Sequence, residues 1–124
     1  MTAGAPVSRH VLFLDLVDEP ELVAAYEAHH APGGVPAEIL ESIRAAGIEQ
    51  MEIYRSGNRL VMIMDTGQNY DPAEKAKADR ANPAVLAWER LMDRFQTPLP
   101  WARPGEKWLA GKAIFTLNPA SAAT

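Results

Sequence analysis

The chain has 124 residues and carries 12 Lys and Arg against 16 Asp and Glu, a formal net charge of −4. This length suits one domain, and the acidic balance argues against a nucleic-acid partner, because phosphate-binding surfaces usually carry a basic excess. The absence of cysteine excludes disulfides, thiol catalysis and cysteine-ligated metals, and no apolar run approaches the ~18 residues of a membrane span. We therefore expect a cytoplasmic protein with no membrane partner.

The first segment predicts a strand followed by a helix. Residues 10–17 (HVLFLDLV) are apolar on both faces of an alternating pattern, which indicates a strand in the middle of a sheet. Asp18 is a candidate N-cap, and Pro20 suits the first turn of a helix that continues to His30. The helical period places Tyr26 and His30 on the inward side of that helix.

A second helix and a hairpin follow. Residues 31–34 (APGG) break the first helix, and a second one is expected over 36–46, ended by Gly47. Its inward side chains are predicted to be Ile39, Leu40 and Ile43. Two strands over 48–54 and 59–65 flank a Ser-Gly-Asn turn. Alternation separates Met51 and Ile53 from a polar face formed by Gln50, Glu52 and Tyr54, which is either solvent-exposed or the wall of a wet pocket.

The remaining segment predicts two helices and a last strand. Helices are expected over 72–80 and 83–95, separated at Asn82-Pro83, because a residue before proline avoids helical geometry. Residues 97–106 are proline-rich and irregular, and 107–117 form the last strand. We expect one domain over 9–117, with flexible tails at 1–8 and 118–124.

The order of these elements predicts the fold class. A strand, two helices, a hairpin, two helices and a strand form a split βαβ pattern. We therefore expect an α+β, ferredoxin-like fold: a four-stranded antiparallel sheet with helices on one face. Because the strands are apolar on both faces, the sheet face without helices must also be covered. A second subunit is the simplest cover, so we expect a homodimer.

His30 is the candidate around which the chemistry is built. Tyr26 lies four residues before it, so both side chains share one face of the helix. A histidine at a helix C-terminus often does no more than complement the helix dipole. A metal site from His29 and His30 is the least favoured alternative, since adjacent helical positions diverge. The third role is general acid and base, for which histidine is suited near neutral pH.

The aromatic side chains fit either a core or a sugar site. Trp88 has core spacing on its helix, and Trp108 is placed to close the core at the start of the last strand. An indole face is also a platform for the C–H face of a sugar ring. The carboxylates form no spaced glycosidase pair, and the sequence has no phosphate loop, nucleophile elbow or zinc motif. This pattern favours proton transfer without a cofactor or metal.

Several motifs, in order along the chain, carry a resemblance to a known family. Residues 26–33, 46–60, 82–83, 88–92, 95–100 and 104–108 resemble the L-rhamnose mutarotase family, on the L-fucose mutarotase-like side. They read YEAHHAPG, AGIEQMEIYRSGNRL, NP, WERLM, FQTPLP and PGEKW. The resemblance implies a dimeric α/β barrel and cofactor-free interconversion of the anomers of a free L-sugar, an isomerase activity on a small monosaccharide.

The resemblance also implies residue roles. By position, His30 matches the family's proposed acid/base histidine, and Tyr26, Tyr54 and Trp88 match residues that line its sugar pocket. We expect a phenol, Tyr26 or Tyr54, to be the catalytic partner of His30, with Tyr26 as the first candidate. The predicted substrate-binding side chains are Tyr54, Trp88, Glu38 and Trp108. Glu38 or Asp65 is a candidate for orienting the histidine.

One departure from the family leaves alternatives open. Similar sequences continue after the histidine motif with Val-Trp-Pro-Glu, whereas this chain has Val35-Pro36-Ala37-Glu38. If that indole lines the sugar site, this pocket is wider. This departure leaves open a non-catalytic or altered-specificity sugar-binding homologue. A cofactor-free ferredoxin-like monooxygenase, another enzyme with the same fold, is the second alternative.

Overall fold

The structure, a computed structural model, describes residues 8–119. Most of the two predicted tails (1–7 and 120–124) lies outside the described residues. The helices and strands follow the predicted order, with one additional short strand. Their bounds are β1 Ser8–Leu16, α1 Pro20–His30, α2 Ala37–Ala45, β2 Ile48–Ser56, β3 Arg59–Thr66, α3 Pro72–Arg80, α4 Pro83–Asp93, β4 Gln96–Thr97 and β5 Leu109–Ala110.

The strands form one antiparallel sheet in the order β2-β3-β1-β4, and β5 also pairs with β1. β3 occupies one edge of β1 along its whole length. On the other edge, β4 lies beside Asp15 and Leu16, and β5 lies beside Leu12 and Phe13. The prediction that the first strand is central is confirmed. The strand order is that of the ferredoxin-like fold, so the predicted fold class is confirmed as well.

The two faces of the sheet differ in what covers them. One face carries Leu14 and Leu60, a cross-strand pair, together with Leu16. Tyr26 from α1 and Met92 from α4 pack against this face and form the core. Side chains alternate along a strand, so the neighbouring residues belong to the other face. They pair as Val11 with Ile63, Phe13 with Val61, and Asp15 with Arg59.

Gly47 joins α2 to β2 in a conformation that other residues rarely adopt. Its φ is +96°, and its N–H donates to the carbonyl of Arg44 at the end of α2. A Cβ at this position would lie 3.2 Å from the backbone nitrogen of Tyr70. Glycine therefore ends the helix and allows the close approach of the segment before α3.

Two local predictions are wrong for identifiable reasons. Glu19, not Asp18, is the N-cap residue of α1, and its side chain makes no capping hydrogen bond. Pro20 sets the first helical turn one residue later than Asp18 would. Leu40 was expected to face inward but is 37% exposed, because it lies at the edge of the cavity described below rather than under the sheet.

The last predicted strand is much shorter than its sequence pattern. Only Leu109–Ala110 pair with β1, and the N–H of Gly111 then donates to the carbonyl of Val11 at 2.8 Å. Beyond this point the described segment has no strand beside it. Three of its apolar side chains, Ile114, Phe115 and Leu117, are 90%, 78% and 77% exposed.

No helix within residues 8–119 has the length and apolar character needed to cross a lipid bilayer.

Candidate functional site

A cavity of about 610 Å³ lies between the helix-covered face of the sheet and the helices. Its floor is apolar and comes from both strands and helices. The floor residues are Leu12, Ile39, Ile53, Met62, Met64, Val85 and Met92. Four aromatic or imidazole side chains line the same space: Tyr26, His30, Trp88 and Trp108. Polar and charged residues also line it: Ser42, Arg44, Glu49, Gln50, Lys75, Asp79, Glu89, Gln96 and Lys107. A concave site with apolar and aromatic side chains and convergent polar groups is the usual form of a small-molecule site.

His30 lies at the last position of α1, with one ring nitrogen tied to the helix. Its Nδ1 is 2.8 Å from the backbone carbonyl oxygen of Tyr26. A carbonyl oxygen only accepts hydrogen bonds, so Nδ1 carries a proton and donates it. In the neutral ring the lone pair is therefore on Nε2, which remains available to the cavity. The main chain of α1 thus favours the neutral tautomer whose lone pair is on Nε2.

The ring of Tyr26 lies beside this imidazole. The two rings have centroids 4.4 Å apart, and Tyr26 is only 3% exposed. Its hydroxyl oxygen accepts a long hydrogen bond, 3.4 Å, from Nε2 of Gln96. Burial raises the pKa of the Tyr26 phenol above its usual 10.0, and the hydrogen bond from Gln96 offsets part of that effect. The phenol is therefore a neutral proton donor at physiological pH.

The two predicted tryptophans also lie at the cavity. The ring of Trp88, on α4, packs edge-to-face against His30 with centroids 5.5 Å apart. Trp108, just before β5, packs against the core cluster that includes Tyr26 and Met92. Both side chains are half-buried, so each combines a core contact with a face toward the cavity.

Tyr54 and Glu38 are not brought to this cavity within the protomer. Tyr54 is 54% exposed, and its hydroxyl donates to Glu52 at 3.0 Å on the sheet face that no described helix covers. That contact raises the pKa of the Tyr54 phenol. Glu38 lies exposed in the first turn of α2, outside the cavity lining.

The two other positions raised by the sequence are also separate from His30. Asp65 forms an ion pair with Arg9, Nε to Oδ1 at 2.7 Å, which lowers the pKa of the Asp65 carboxyl. It therefore does not orient the histidine. Pro36 is exposed and outside the cavity lining, whereas its neighbour Val35 lines the cavity.

Sequence reasoning missed several polar residues of the cavity. Gln96 stands in a two-residue strand that has no periodic signal of its own. Lys107 lies at the rim, with Nζ 2.7 Å from Asp93 and 3.7 Å from Glu89. Glu89 and Lys107 both line the cavity. The signal in the sequence that could have identified Glu89 and Lys107 is their position in the WERLM and PGEKW motifs.

The histidines do not assemble as metal ligands. His29 packs against Trp88 and Phe95, and Nε2 of His10 lies 3.1 Å from Oγ1 of Thr66. Among residues 8–119 there is no group of three or more His, Asp or Glu side chains arranged to hold a metal ion.

Comparison with known proteins identifies the family of the chain. The family model described as L-rhamnose mutarotase matches residues 9–117. An L-fucose mutarotase of Xanthomonas campestris pv. campestris is 50% identical over 107 residues, which are 86% of this chain and 86% of that protein. The chain belongs to the L-rhamnose mutarotase family.

Solved structures agree with this family at the level of the fold. An L-rhamnose mutarotase from Formosa agariphila superposes with a TM-score of 0.62 at 14% identity, over 90% of this chain and 99% of that one. Tetracenomycin F2 cyclase from Streptomyces glaucescens gives 0.58 at 15% identity, over 89% and 98%. The fold is thus shared by the L-rhamnose mutarotase family and by a polyketide cyclase, so the fold alone does not assign the chemistry.

Proposed function

We propose that this protein is an isomerase that interconverts the anomers of a free 6-deoxy-L-sugar without a cofactor. One observation carries the proposal: His30 and Tyr26 line the same cavity. The hydrogen bond that Nδ1 of His30 donates leaves Nε2 as the base, and the buried Tyr26 phenol is the acid. Membership in the L-rhamnose mutarotase family supports the same conclusion.

The proposed mechanism needs two proton transfers in each direction. Nε2 of His30 removes the proton of the C1 hydroxyl, the C1–O5 bond breaks, and O5 takes the proton of the Tyr26 hydroxyl. The aldehyde then rotates about the C1–C2 bond. On ring closure O5 attacks the other face of C1 and gives its proton back to the Tyr26 phenolate, while protonated His30 gives its proton to the C1 oxygen, so both side chains regain their starting protonation states. Each positioned proton-transfer group contributes roughly 10²–10⁴-fold to such a reaction.

The cavity chemistry supports a deoxy sugar as the substrate. The floor is apolar, and Trp88 and Trp108 offer indole surface to C–H groups and to a methyl group. Polar groups also line the cavity, among them His30, Tyr26 and Gln96, and they can bind the hydroxyl groups of the sugar. Because the 50%-identical relative is an L-fucose mutarotase, we propose L-fucose as the first sugar to test and L-rhamnose as the second.

The test is anomer exchange measured by NMR exchange spectroscopy on L-fucose and L-rhamnose. We expect the wild-type protein to accelerate exchange and His30→Gln to lose about 10²–10⁴-fold of the catalysed rate. The matched control is His29→Gln, which changes the adjacent histidine outside the cavity lining and should keep most of the activity.

Two results would contradict the proposal. Exchange in His30→Gln equal to that of His29→Gln would remove His30 from the mechanism. Binding of sugars to the wild-type protein without faster exchange would favour a non-catalytic sugar-binding protein instead. Circular dichroism and thermal melting of both variants establish that any loss is not a loss of folding.

We also propose that the protein acts as a cytoplasmic homodimer, joined through the sheet face that no described helix covers. The cysteine-free sequence supports the compartment. The centre of that face is apolar and half-buried, formed by Val11, Phe13, Val61 and Ile63.

The ion pairs at the two ends of this apolar centre support the proposal that a second copy of the chain covers it. Arg9 pairs with Asp65 at one end, and Arg59 pairs with Asp15 at the other. The arginine therefore belongs to β1 at one end and to β3 at the other. If a second copy packs on this face with its β1 running in the opposite direction, Arg9 of one copy lies over Asp15 of the other. Such a pattern is self-complementary, as a twofold interface requires.

A further inference from the structure

Gln96 is a half-buried residue whose amide nitrogen and amide oxygen differ in their hydrogen bonding. Its Nε2 donates to the hydroxyl oxygen of Tyr26, while its Oε1 is buried and has no hydrogen-bond partner among the described residues. Gln96 pairs with Leu16 across β1 and β4 and follows the buried Phe95. The amide thus stands at the boundary between the apolar core and the cavity.

This arrangement does not favour stability. A buried carbonyl oxygen without a partner has lost its hydration and gained nothing in exchange. The long hydrogen bond to Tyr26 compensates only weakly for that loss of hydration. A leucine at position 96 would fill similar space without a buried carbonyl oxygen that lacks a partner. The amide is therefore better explained by what it does to Tyr26.

The hydrogen bond decides where the Tyr26 proton points. A phenol has one O–H to donate and an oxygen that accepts. Because Gln96 is a donor here, the Tyr26 oxygen is the acceptor, and its own proton must be offered elsewhere. Within residues 8–119 the hydroxyl makes no second hydrogen bond, and the cavity lies beside it.

We infer that Gln96 is a positioning residue that holds the Tyr26 hydroxyl as a donor toward the substrate. This inference rests on the proposed mutarotase function and adds a residue to it. Two contacts then give the two proton-transfer groups opposite hydrogen-bonding roles, one as acceptor and one as donor. The Tyr26 carbonyl makes His30 an acceptor at Nε2, and the Gln96 amide makes the Tyr26 hydroxyl a donor. The hydrogen bond from Gln96 also opposes the effect of burial on the Tyr26 pKa.

The first test follows Tyr26 itself and needs no activity. Tyrosine labelled with ¹³C at the ring carbon bearing the hydroxyl gives one NMR signal for each of the three tyrosines. We expect Gln96→Leu to raise the pKa of Tyr26, because a donor to the phenolate is lost. Gln68→Leu, an exposed glutamine outside the cavity lining, is the control and should leave that pKa unchanged. A lowered Tyr26 pKa in Gln96→Leu would overturn the inference, since it would mean that the amide oxygen faces the phenol.

The second test is a double-mutant cycle on the exchange rate. Gln96→Leu should lower kcat roughly 10- to 100-fold with a smaller change in KM, since the lost group acts on proton transfer. In a Tyr26→Phe background, Gln96→Leu should have no further effect on kcat, because no hydroxyl remains to be positioned. Additive losses in the cycle, or a wild-type rate in Gln96→Leu, would overturn the inference.

A third variant gives a pH signature that a structural role would not produce. In Gln96→Glu the ionised carboxylate accepts a hydrogen bond from the Tyr26 hydroxyl, whose O–H then points away from the cavity. We expect its exchange rate to fall as pH rises through the titration of that carboxyl and to recover at lower pH. A pH profile parallel to that of the wild type would count against the inference. If the wild-type protein itself exchanges no sugar, the proposed function fails, while the Tyr26 titration still decides the hydrogen-bond direction.

Discussion

Tyr26 contributes to the site through two different groups. Its backbone carbonyl accepts from Nδ1 of His30, and its hydroxyl, the proposed proton donor, belongs to a ring whose centroid is 4.4 Å from that of His30. The group that orients the His30 ring is a peptide carbonyl four residues earlier in the same helix. The tautomer is therefore specified by helical geometry, without a second charged residue.

Burial of Tyr26 predicts a specific alkaline effect on stability. Its pKa is raised in the folded state, so the folded protein holds this proton more tightly than the unfolded chain. The resulting stability is fully present below the ordinary phenol pKa of ~10 and is lost as pH rises through the raised folded value. One such group changes the free energy of unfolding by at most about 1.4 kcal/mol per pH unit.

We therefore expect Tyr26→Phe to lose less stability than the wild type between neutral and strongly alkaline pH. Urea unfolding at a series of pH values measures this. Tyr54→Phe is the comparison, because Tyr54 is exposed and solvent screens its contact with Glu52. Parallel curves for Tyr26→Phe and the wild type would show that the phenol does not titrate differently in the two states.

The sequence identified some site residues and not others for a geometric reason. Tyr26 and His30 were placed together because i and i+4 always share a helix face. Alternation also separated Tyr54 correctly from Ile53. Alternation gives only relative faces, however, and long-range packing decides which face the helices cover. Tyr54 therefore lies away from His30 in the protomer, and Gln96, without a periodic neighbour, was not predicted at all.

At the scale of elements, proline and capping residues set the helix starts. Three of the four helices have proline at the start, where the missing N–H costs nothing. Asp71 accepts from the N–H of Ala73 at 2.9 Å and caps α3, and Asn82 accepts from Ala84 at 3.0 Å and caps α4. Glu19 precedes α1 with no side-chain cap.

A pair of substitutions tests these caps. Asn82→Ala should lower the free energy of unfolding by about 1 kcal/mol, because one N–H at the start of α4 loses its acceptor. Glu19→Asp should raise it by about 0.5–1 kcal/mol. Glu19 has φ −132° and ψ 124°, close to the −134° and 110° of the capping Asp71.

Urea unfolding with an unchanged m-value measures both effects. A Glu19→Asp protein no more stable than the wild type would show that the α1 start differs from that of α3. The sequence predicted the extent of α3 correctly because its cap and its first proline stand together. It misplaced the cap of α1 because Asp18 has the preferred side chain but the wrong position relative to Pro20.

At the scale of the whole molecule, two apolar surfaces remain without cover in the described protomer. One is the centre of the helix-free sheet face around Val61, and the other is the segment with exposed Ile114, Phe115 and Leu117. This segment was predicted as strand from its composition, and it finds no strand beside it beyond Gly111. The strand prediction is wrong for this part of the chain, and an apolar segment left exposed in one protomer is expected where a second chain covers it.

The homodimer proposed from this arrangement makes a clear prediction for Val61→Glu. A charge at the centre of the apolar face must lose its hydration when two copies meet, so the dimer should dissociate. Sedimentation at micromolar concentration should give twice the 13.6 kDa chain mass for the wild type and the single-chain mass for the variant. Leu86→Glu is the matched control, because Leu86 is an exposed apolar residue of α4, away from that face, and should leave the dimer intact. A monomeric wild type, or a Val61→Glu protein that is folded and still dimeric, would exclude this face as the interface.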